Sequence, residues 1–136
     1  MVHYSDCIVF LLAKAYQKAH GCLKKRVAEF GLTPIQVLVL EALRDEEGVS
    51  SGELGKKLSL DSATLSGVLD RLAEKGWIVK ETDDMDRRSL RIYLGDPARR
   101  MYQTISEQRQ KANDDVMKKL STEEKVLLKR LLKDLG

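Results

Sequence analysis

The feature that most constrains this chain is a change of hydrophobic period near its middle. Apolar residues spaced i, i+3, i+4 and i+7 predict a helix over residues 61–75, and these residues are Leu65, Val68, Leu69 and Leu72. After Gly76 the apolar and polar residues alternate, so residues 77–82 and 90–94 are predicted strands. The charged segment between the strands is a predicted hairpin loop.

Capping signals predict two more helices before residue 61. Thr33 with Gln36, and Ser50 with Glu53, each form the capping box that begins many helices. Asp61 is the predicted N-cap of the helix with the apolar stripe. Two helices separated by a turn of about three residues, followed by a strand, a charged hairpin and a strand, give the order of a winged helix-turn-helix.

Helices are also predicted on both sides of this unit. Residues from about 5 to 30 form a long helix that Gly31 ends as a C-terminal cap. Asp96 is the predicted cap of another helix, which Pro97 begins and which runs to about residue 119. Ser121 opens a final helix through a third capping box. The predicted fold is therefore mainly α with a small β-hairpin wing.

Apolar runs at both ends of the chain favour a dimer. Residues 7–13 are all apolar, and a helix that is apolar on every side must be buried. The final helix is mostly apolar through Val126, Leu127, Leu128, Leu131, Leu132 and Leu135. Packing these runs against a second copy in a two-fold arrangement buries both. We therefore expect one domain, with dimerisation helices at about 5–30 and 97–136 and a winged helix-turn-helix at about 33–94.

Composition excludes several classes of function. The 136 residues carry a net charge of +3, and no apolar run approaches the roughly 20 residues of a membrane span. Two cysteines and no signal-peptide pattern lead us to expect a reduced cytoplasmic protein without a membrane partner. A phosphate-binding loop, a nucleophile elbow and a catalytic triad are all missing from the sequence, so we expect no enzyme, no catalytic residues and no cofactor.

The histidines and cysteines do not predict a metal site. His3 and Cys7 have a spacing of i, i+4, and His20 and Cys22 are close in sequence. Neither pair supplies the four ligands, at the required spacing, of a structural zinc site.

The outward face of helix 61–75 is suited to DNA. Its first two turns carry small uncharged residues, namely Ser62, Ala63, Ser66 and Gly67, and the charged Asp70, Arg71 and Glu74 come later. The N-terminus of a helix attracts anions, whereas carboxylates there would repel phosphate. This half of the helix could therefore enter the major groove. Taken alone, the same pattern also fits a surface helix of a helical bundle.

The hairpin loop strengthens the DNA interpretation. Arg87 and Arg88 are adjacent, and guanidinium groups are attracted to the narrow, negative minor groove. Asp86 would oppose DNA unless it pairs with one arginine and orients the other. The alternative is an exposed charged turn without a partner. Bases and acids are equal in number between residues 50 and 94, so the argument depends on placement and not on net charge.

At this point the chain resembles the MarR family of transcription regulators. The similarity covers nearly the whole length and lies in the segments Gly31-Leu32-Thr33-x-x-Gln36, Val49-Ser50-x-x-Glu53-Leu54, Leu72-x-x-x-Gly76-Trp77-Ile78-Val79 and Asp86-Arg87-Arg88 followed by Leu94. The resemblance implies an obligate homodimer that binds a near-palindromic operator in double-stranded DNA. It also implies a repressor that a small molecule or an oxidant releases.

The same resemblance implies roles for particular residues. Base and phosphate contacts fall on Ser62, Thr64 and Ser66, and minor-groove contact falls on Arg87 or Arg88. The chain departs from the family in two places. Gly67 stands where many members carry an arginine. Because glycine cannot contact a base in that way, recognition of the DNA sequence would depend more on the wing. The threonine that usually follows Leu94 is replaced by Gly95-Asp96-Pro97, which supplies a helix cap by another route.

Members of the family commonly have a ligand pocket, and one branch senses peroxide through a cysteine. By position, the pocket residues of this chain would be Phe10, Tyr16, His20, Leu38 and Ala42, although each also suits an ordinary core. Cys7 is the candidate redox residue, yet its position is about two residues from that of the sensor cysteine. A buried or incidental thiol is the alternative, and the sequence does not decide the role of Cys22.

A winged-helix module that binds a protein partner instead of DNA is the rival function. The equal number of acids and bases in the winged unit is compatible with it. Salt-dependent DNA affinity would separate the two functions, because neutralisation of phosphates by Lys and Arg releases counterions.

Overall fold

The computed structural model describes residues 1–86 and 89–136 of the chain. These residues form six α-helices and three β-strands: α1 (Ile8–Val27), α2 (Pro34–Asp45), β1 (Val49–Ser50), α3 (Ser51–Leu58), α4 (Ser62–Glu74), β2 (Ile78–Thr82), β3 (Leu90–Leu94), α5 (Asp96–Val116) and α6 (Thr122–Leu135). Short 3₁₀ turns cover Tyr4–Asp6 and Ala28–Phe30. The chain divides into two compact units, one made of Val27–Ser106 and one made of Met1–Arg26 with Glu107–Gly136.

The core of the unit Val27–Ser106 is built on the apolar stripe of α4. Leu65, Leu69 and Leu72 are buried there, and Val68 beside them is half-buried. Helices α2 and α3, the sheet and the last residue of α1 supply the rest of this core, whose fully buried side chains include Val27, Val37, Val39, Leu43, Leu54, Ile78 and Ile92. The predicted helix therefore packs through the stripe that its period defines, and its opposite face is exposed.

The predicted capping boxes are confirmed. The Gln36 amide donates to Thr33 Oγ1 at 3.3 Å, and the Thr33 amide donates back to Gln36 Oε1 at 3.0 Å. Ser50 makes the same reciprocal pair at the start of α3, and Ser121 makes it at the start of α6. Asp61 caps α4 as predicted. These signals are reliable because each depends only on residues three apart.

The sheet has one more strand than the sequence predicts. β2 and β3 form the expected hairpin, with Ile78 opposite Leu94 and Thr82 opposite Leu90. β1 pairs with the other edge of β3, which gives the antiparallel order β1-β3-β2. β1 has two residues, which is too short for a period of two to be recognised.

Two predicted helix boundaries at the ends of the winged unit are wrong. Asp96 is the first residue of α5 and not its cap, because the Arg99 amide donates to the Gly95 carbonyl at 3.2 Å. The long N-terminal helix is interrupted: α1 ends at Val27 and a 3₁₀ turn leads to Gly31. Gly31 does end that turn with φ at +70°, the left-handed conformation that glycine tolerates.

Gly95 lies against the turn between α4 and β2. Its amide donates to the Trp77 carbonyl at 2.8 Å, and a Cβ at Gly95 would lie 2.0 Å from the Gly76 carbonyl oxygen. Glycine is therefore required at position 95 because no side-chain atom fits between the two backbones.

The unit made of Met1–Arg26 and Glu107–Gly136 has little buried apolar surface of its own. Arg26 Nη2 bonds to Asp115 Oδ2 at 2.7 Å within it, and Ala112 is buried. Large apolar side chains of α1 and α6 remain exposed; they include Ile8, Val9, Leu11, Val126, Leu127, Leu131, Leu132 and Leu135. None of the helices formed by the described residues has an apolar stretch long enough to cross a membrane.

Two glycine substitutions should have opposite effects on stability. We expect Gly95→Ala to lower the free energy of unfolding by about 1–3 kcal/mol, because the new methyl group must displace backbone. We expect Gly67→Ala to raise it by about 0.5–1 kcal/mol, because a Cβ at Gly67 meets nothing within 4 Å and alanine favours the helix. Urea unfolding followed by circular dichroism measures both changes. Equal effects of the two variants would contradict the close approach at Gly95.

Candidate nucleic-acid interface

The N-terminal half of α4 presents small, exposed side chains. Ser62, Ala63, Thr64, Ser66 and Gly67 are all exposed, as the sequence analysis expects. Among the residues that the structure describes, the hydroxyl groups of the two serines make no hydrogen bond. Both can therefore donate to or accept from a ligand without breaking an internal bond.

The hydroxyl group of Thr64 is engaged in a hydrogen bond to Asp61. Asp61 Oδ1 accepts from the Thr64 amide at 2.7 Å, and Oδ2 accepts from Thr64 Oγ1 at 3.0 Å. These bonds, with the backbone amide contributing most, hold the pKa of Asp61 below its usual value. Thr64 thus helps to begin the helix, and only the acceptor side of its hydroxyl remains for other contacts.

A groove of about 450 Å³ lies between α3, α4 and the sheet. We call it the α3–α4 groove. Its floor is apolar and includes Leu65, Leu69 and Ile92. Hydroxyl groups and two lysines surround this floor, and these residues are Ser51, Ser59, Ser62, Ser66, Lys56 and Lys80. The groove therefore combines hydrogen-bonding groups with positive charge beside the first turns of α4.

Lys56 and Lys80 differ in how far they are engaged within the protein. Lys80 Nζ pairs with Asp70 on α4, which joins β2 to that helix. Lys56 is exposed on α3 and has no ion pair with the residues that the structure describes. Sequence reasoning counted both lysines only as charge. A helical period shows which face of each helix is apolar, but not which residues of two helices line one groove.

Lys57, next to Lys56, is held by the C-terminal end of α2. Its ammonium group lies 3.0 Å from Glu46 Oε2 and 3.5 Å from Asp45 Oδ2. The hydrogen bond to Glu46 is the main reason that the pKa of Lys57 is raised.

Arg71, in the last turn of α4, is exposed and is not ion-paired with any described residue. Lys56 and Arg71 are thus the cations of α3 and α4 that are best placed to contact an anionic ligand.

The predicted wing arginines, Arg87 and Arg88, lie outside the described residues. Asp86 is described, and its carbonyl accepts a hydrogen bond from the Ser89 amide at 2.9 Å. The expected pairing of Asp86 with an arginine stays a prediction.

The base of the wing is cross-linked by Arg91. Its Nε donates to Asp83 Oδ2 at 3.1 Å, and its Nη1 donates to the Gly48 carbonyl at 3.2 Å. The amide of Met85 donates to Asp83 Oδ1 at 2.9 Å. That amide, with a further contribution from Arg91, lowers the pKa of Asp83 although partial burial opposes the change.

The junction of β3 and α5 holds a second ion pair. Glu47 Oε1 accepts from the Leu94 amide at 2.8 Å and from Arg99 Nη2 at 2.6 Å. Burial alone would raise the pKa of Glu47, but these bonds to the Leu94 amide and to Arg99 lower it overall. The guanidinium of Arg44 lies 4.2 Å from the ring centre of Tyr102, which adds a contact between α2 and α5.

The predicted ligand-pocket residues belong to two different units. Phe10, Tyr16 and His20 lie on α1 in one unit, and Leu38 and Ala42 lie on α2 in the other. Phe10, Tyr16 and Leu38 are exposed, whereas His20 and Ala42 are half-buried. Their role in binding a ligand stays a prediction.

Both cysteines are free thiols. Cys7 is exposed and Cys22 is half-buried, and a redox role for either stays a prediction. Within residues 1–86 and 89–136, no group of three or more His, Cys, Asp or Glu side chains is placed to hold a metal ion.

Fold and site together define a winged helix-turn-helix: α3 and α4 are the two helices, and β2 and β3 form the wing. Residues 30–89 match the model of the MarR family. A curated relative, the HTH-type transcriptional regulator TtmR of Methylorubrum extorquens, is 40% identical over 91 residues, which are 67% of this chain and 45% of that protein. Over this segment the chain is similar to the MarR family of transcriptional regulators.

Two solved structures are similar along almost the whole chain. BpsR of Bordetella bronchiseptica, described for regulation of its DNA binding by 6-hydroxynicotinic acid, is 27% identical with a TM-score of 0.93; the match covers 99% of this chain and 96% of BpsR. A mutant MarR of E. coli in complex with operator DNA is 25% identical with a TM-score of 0.88, and 99% of each chain is covered. The chain spans about half the length of the first curated relatives it matches.

Replacement of Asp61 should separate capping from charge. Because its pKa is lowered, Asp61 stabilises the fold at pH values above about 3.8, and this contribution is lost as the pH falls through its lower folded value. We expect Asp61→Ala to lower the melting temperature at neutral pH by removing the cap of α4. Asp61→Asn should keep the cap and lose only the pH dependence. Thermal unfolding between pH 2.5 and 7 checks both, and identical behaviour of the two variants would contradict the capping role.

Proposed function

We propose that this protein binds double-stranded DNA as a homodimer and regulates transcription. The observation that carries the proposal is the exposed first half of α4, whose small, hydroxyl-bearing face adjoins the α3–α4 groove with Lys56 and Lys80. Such a helix fits the major groove. The similarity to a MarR structure that holds operator DNA supports the same function.

Each element then has a defined contact. Ser62 and Ser66 contact bases and phosphates through free hydroxyl groups, and Thr64 contributes as an acceptor. Ala63 and Gly67 allow the helix to approach the bases closely, because neither has a long side chain. Phosphates are contacted by Lys56 and Arg71. Arg87 and Arg88 reach the minor groove, and Asp86 orients one of them.

The dimer forms through the exposed apolar surfaces of α1 and α6. Leu128, Leu131, Leu132 and Leu135 follow one another at helical spacing, and all of them are exposed in the single chain. Exposed apolar surface of this extent is typical of an interface. Two identical reading units related by a two-fold axis require a near-palindromic operator.

Leu131→Glu should convert the dimer to monomers. The carboxylate would be buried in the proposed interface, so we expect the dimer dissociation constant to rise at least about tenfold. Sedimentation velocity measures the change. Thr122→Glu, which alters the charge equally at the exposed start of α6, is the matched control and should leave the dimer intact. A Leu131→Glu dimer with unchanged affinity would exclude this interface.

Selection of bound sequences from random duplex DNA tests the function itself. We expect a two-fold repeat with half-site centres about 10 base pairs apart, because each recognition helix reads one turn of the major groove. The result that would overturn the proposal is a dimer that enriches no sequence and has no salt-dependent affinity for any duplex. That result would favour the protein-interaction module instead.

Paired substitutions extend the same experiment to the wing. Arg87→Ala with Arg88→Ala should weaken binding to the selected duplex and reduce the slope of affinity against salt by about two for each protomer, which is about four for the dimer. Lys129→Ala with Lys133→Ala removes the same charge from exposed positions of α6 and is the control. An equal loss of affinity in both double variants would point to net charge alone.

The remaining features of the proposed function follow from the family. We infer a repressor released by a small molecule, since BpsR is a structural neighbour whose DNA binding is regulated by 6-hydroxynicotinic acid. The protein acts in the cytoplasm, where its operator lies, and it catalyses no reaction. These inferences are consistent with regulator names among the relatives.

A further inference from the structure

Arg91 joins three separate parts of the winged unit. On one side it bonds to Asp83, at the start of the wing loop, through Nε and Nη2, each 3.1 Å from Oδ2. On the other side Nη1 donates to the Gly48 carbonyl at 3.2 Å and lies 3.7 Å from Glu53 Oε2. One guanidinium therefore connects the wing, the turn before β1 and the first turn of α3.

Through Glu53, Arg91 contacts the first helix of the helix-turn-helix directly. The same oxygen, Oε2, accepts from the Ser50 amide at 3.2 Å in the capping box that begins α3. Arg91 thus forms an ion pair with a carboxylate that also accepts a hydrogen bond from the backbone at the start of α3. The wing is therefore joined to the first turn of α3 through an ion pair with an exposed capping carboxylate.

Asp83 is equally well fixed at the other end of the connection. Its Oδ1 accepts from the Met85 amide, and its own amide donates to the Ser89 carbonyl at 2.9 Å. Both strands of the hairpin are therefore joined at the point where the loop begins. The loop that begins at Asp83 carries the predicted minor-groove residues Arg87 and Arg88 in its sequence.

We propose that Arg91 is a positioning residue that sets the wing relative to α3 and α4, and this rests on the proposed DNA-binding function. DNA fixes the distance between a major groove and the neighbouring minor groove. A wing held at a matching distance loses less conformational entropy on binding than a free loop. Arginine is needed because its planar fork engages Asp83 and Gly48 in fixed directions, which lysine cannot reproduce.

Asp83 separates positioning from simple electrostatics. Removal of a negative charge near DNA should tighten binding if only charge matters. If Asp83 acts through Arg91, removal of its charge should instead weaken binding to the selected duplex. Asp84 is the matched control, because it is an exposed carboxylate in the same loop and has no hydrogen bond or ion pair with the described residues.

The experiment compares Asp83→Asn, Asp84→Asn and Arg91→Lys in the full-length dimer. The probes are the duplex obtained by selection from random DNA and a scrambled duplex of equal length. We expect Asp83→Asn and Arg91→Lys to weaken binding to the selected duplex about five- to tenfold. Asp83→Asn should bind the scrambled duplex at least as well as the wild type, and Asp84→Asn should bind both duplexes at least as well. The double variant Asp83→Asn with Arg91→Lys should bind the selected duplex no more weakly than the weaker-binding single variant. The two effects should not add, because both substitutions disrupt the same contact between Asp83 and Arg91.

Hydrogen exchange of the wing amides provides a measurement that does not require DNA. Amide exchange at Met85 and Ser89 should be faster in Asp83→Asn and in Arg91→Lys, while exchange in α4 and the melting temperature stay close to wild type. Unchanged exchange, or tighter binding of the selected duplex by Asp83→Asn, would overturn the role of Arg91. If the wild type bound no duplex, the proposed function would fail. Faster amide exchange in Asp83→Asn and Arg91→Lys would still show that Arg91 restrains the loop.

Discussion

The winged unit depends on the contact between two backbone turns at Gly76 and Gly95. The first turn ends α4 and begins β2, and the second ends β3 and begins α5. The hydrogen bond from the Gly95 amide to the Trp77 carbonyl joins the turns directly beside the pair Ile78 and Leu94. This contact sets the register of the hairpin. A slip of one residue would turn Ile78, Ile92 and Leu94 from the core to the solvent.

Much of the fold can be predicted because its signals are local. The caps at Thr33, Ser50, Asp61 and Ser121 each involve residues three apart, and the stripe of α4 needs only its own period. Predictions fail where the cause is distant in sequence. Glycine is required at position 95 because of the remote Gly76 carbonyl, and β1 exists only because β3 provides its partner.

The candidate site shows the same division. The exposed face of α4 follows from its period, and the small residues of that face are evident in the sequence. The α3–α4 groove requires two helices and a sheet to meet, so sequence patterns do not assign Lys56 or Lys80 to it. The link from Arg91 to Glu53 is likewise invisible in a sequence, because Glu53 has a complete local explanation as a capping residue.

Internal ion pairs also reduce the number of positive charges that are free to attract DNA. Lys57, Lys80, Arg91 and Arg99 are each paired with a carboxylate of their own chain, so the attraction of these four charges for a duplex is partly offset. Affinity for arbitrary DNA grows with the number of cations that can displace counterions. A regulator whose cations are used in this way would dissociate quickly from the bulk of a chromosome. Its time on the genome would then be concentrated at the few places where shape and hydroxyl contacts both fit.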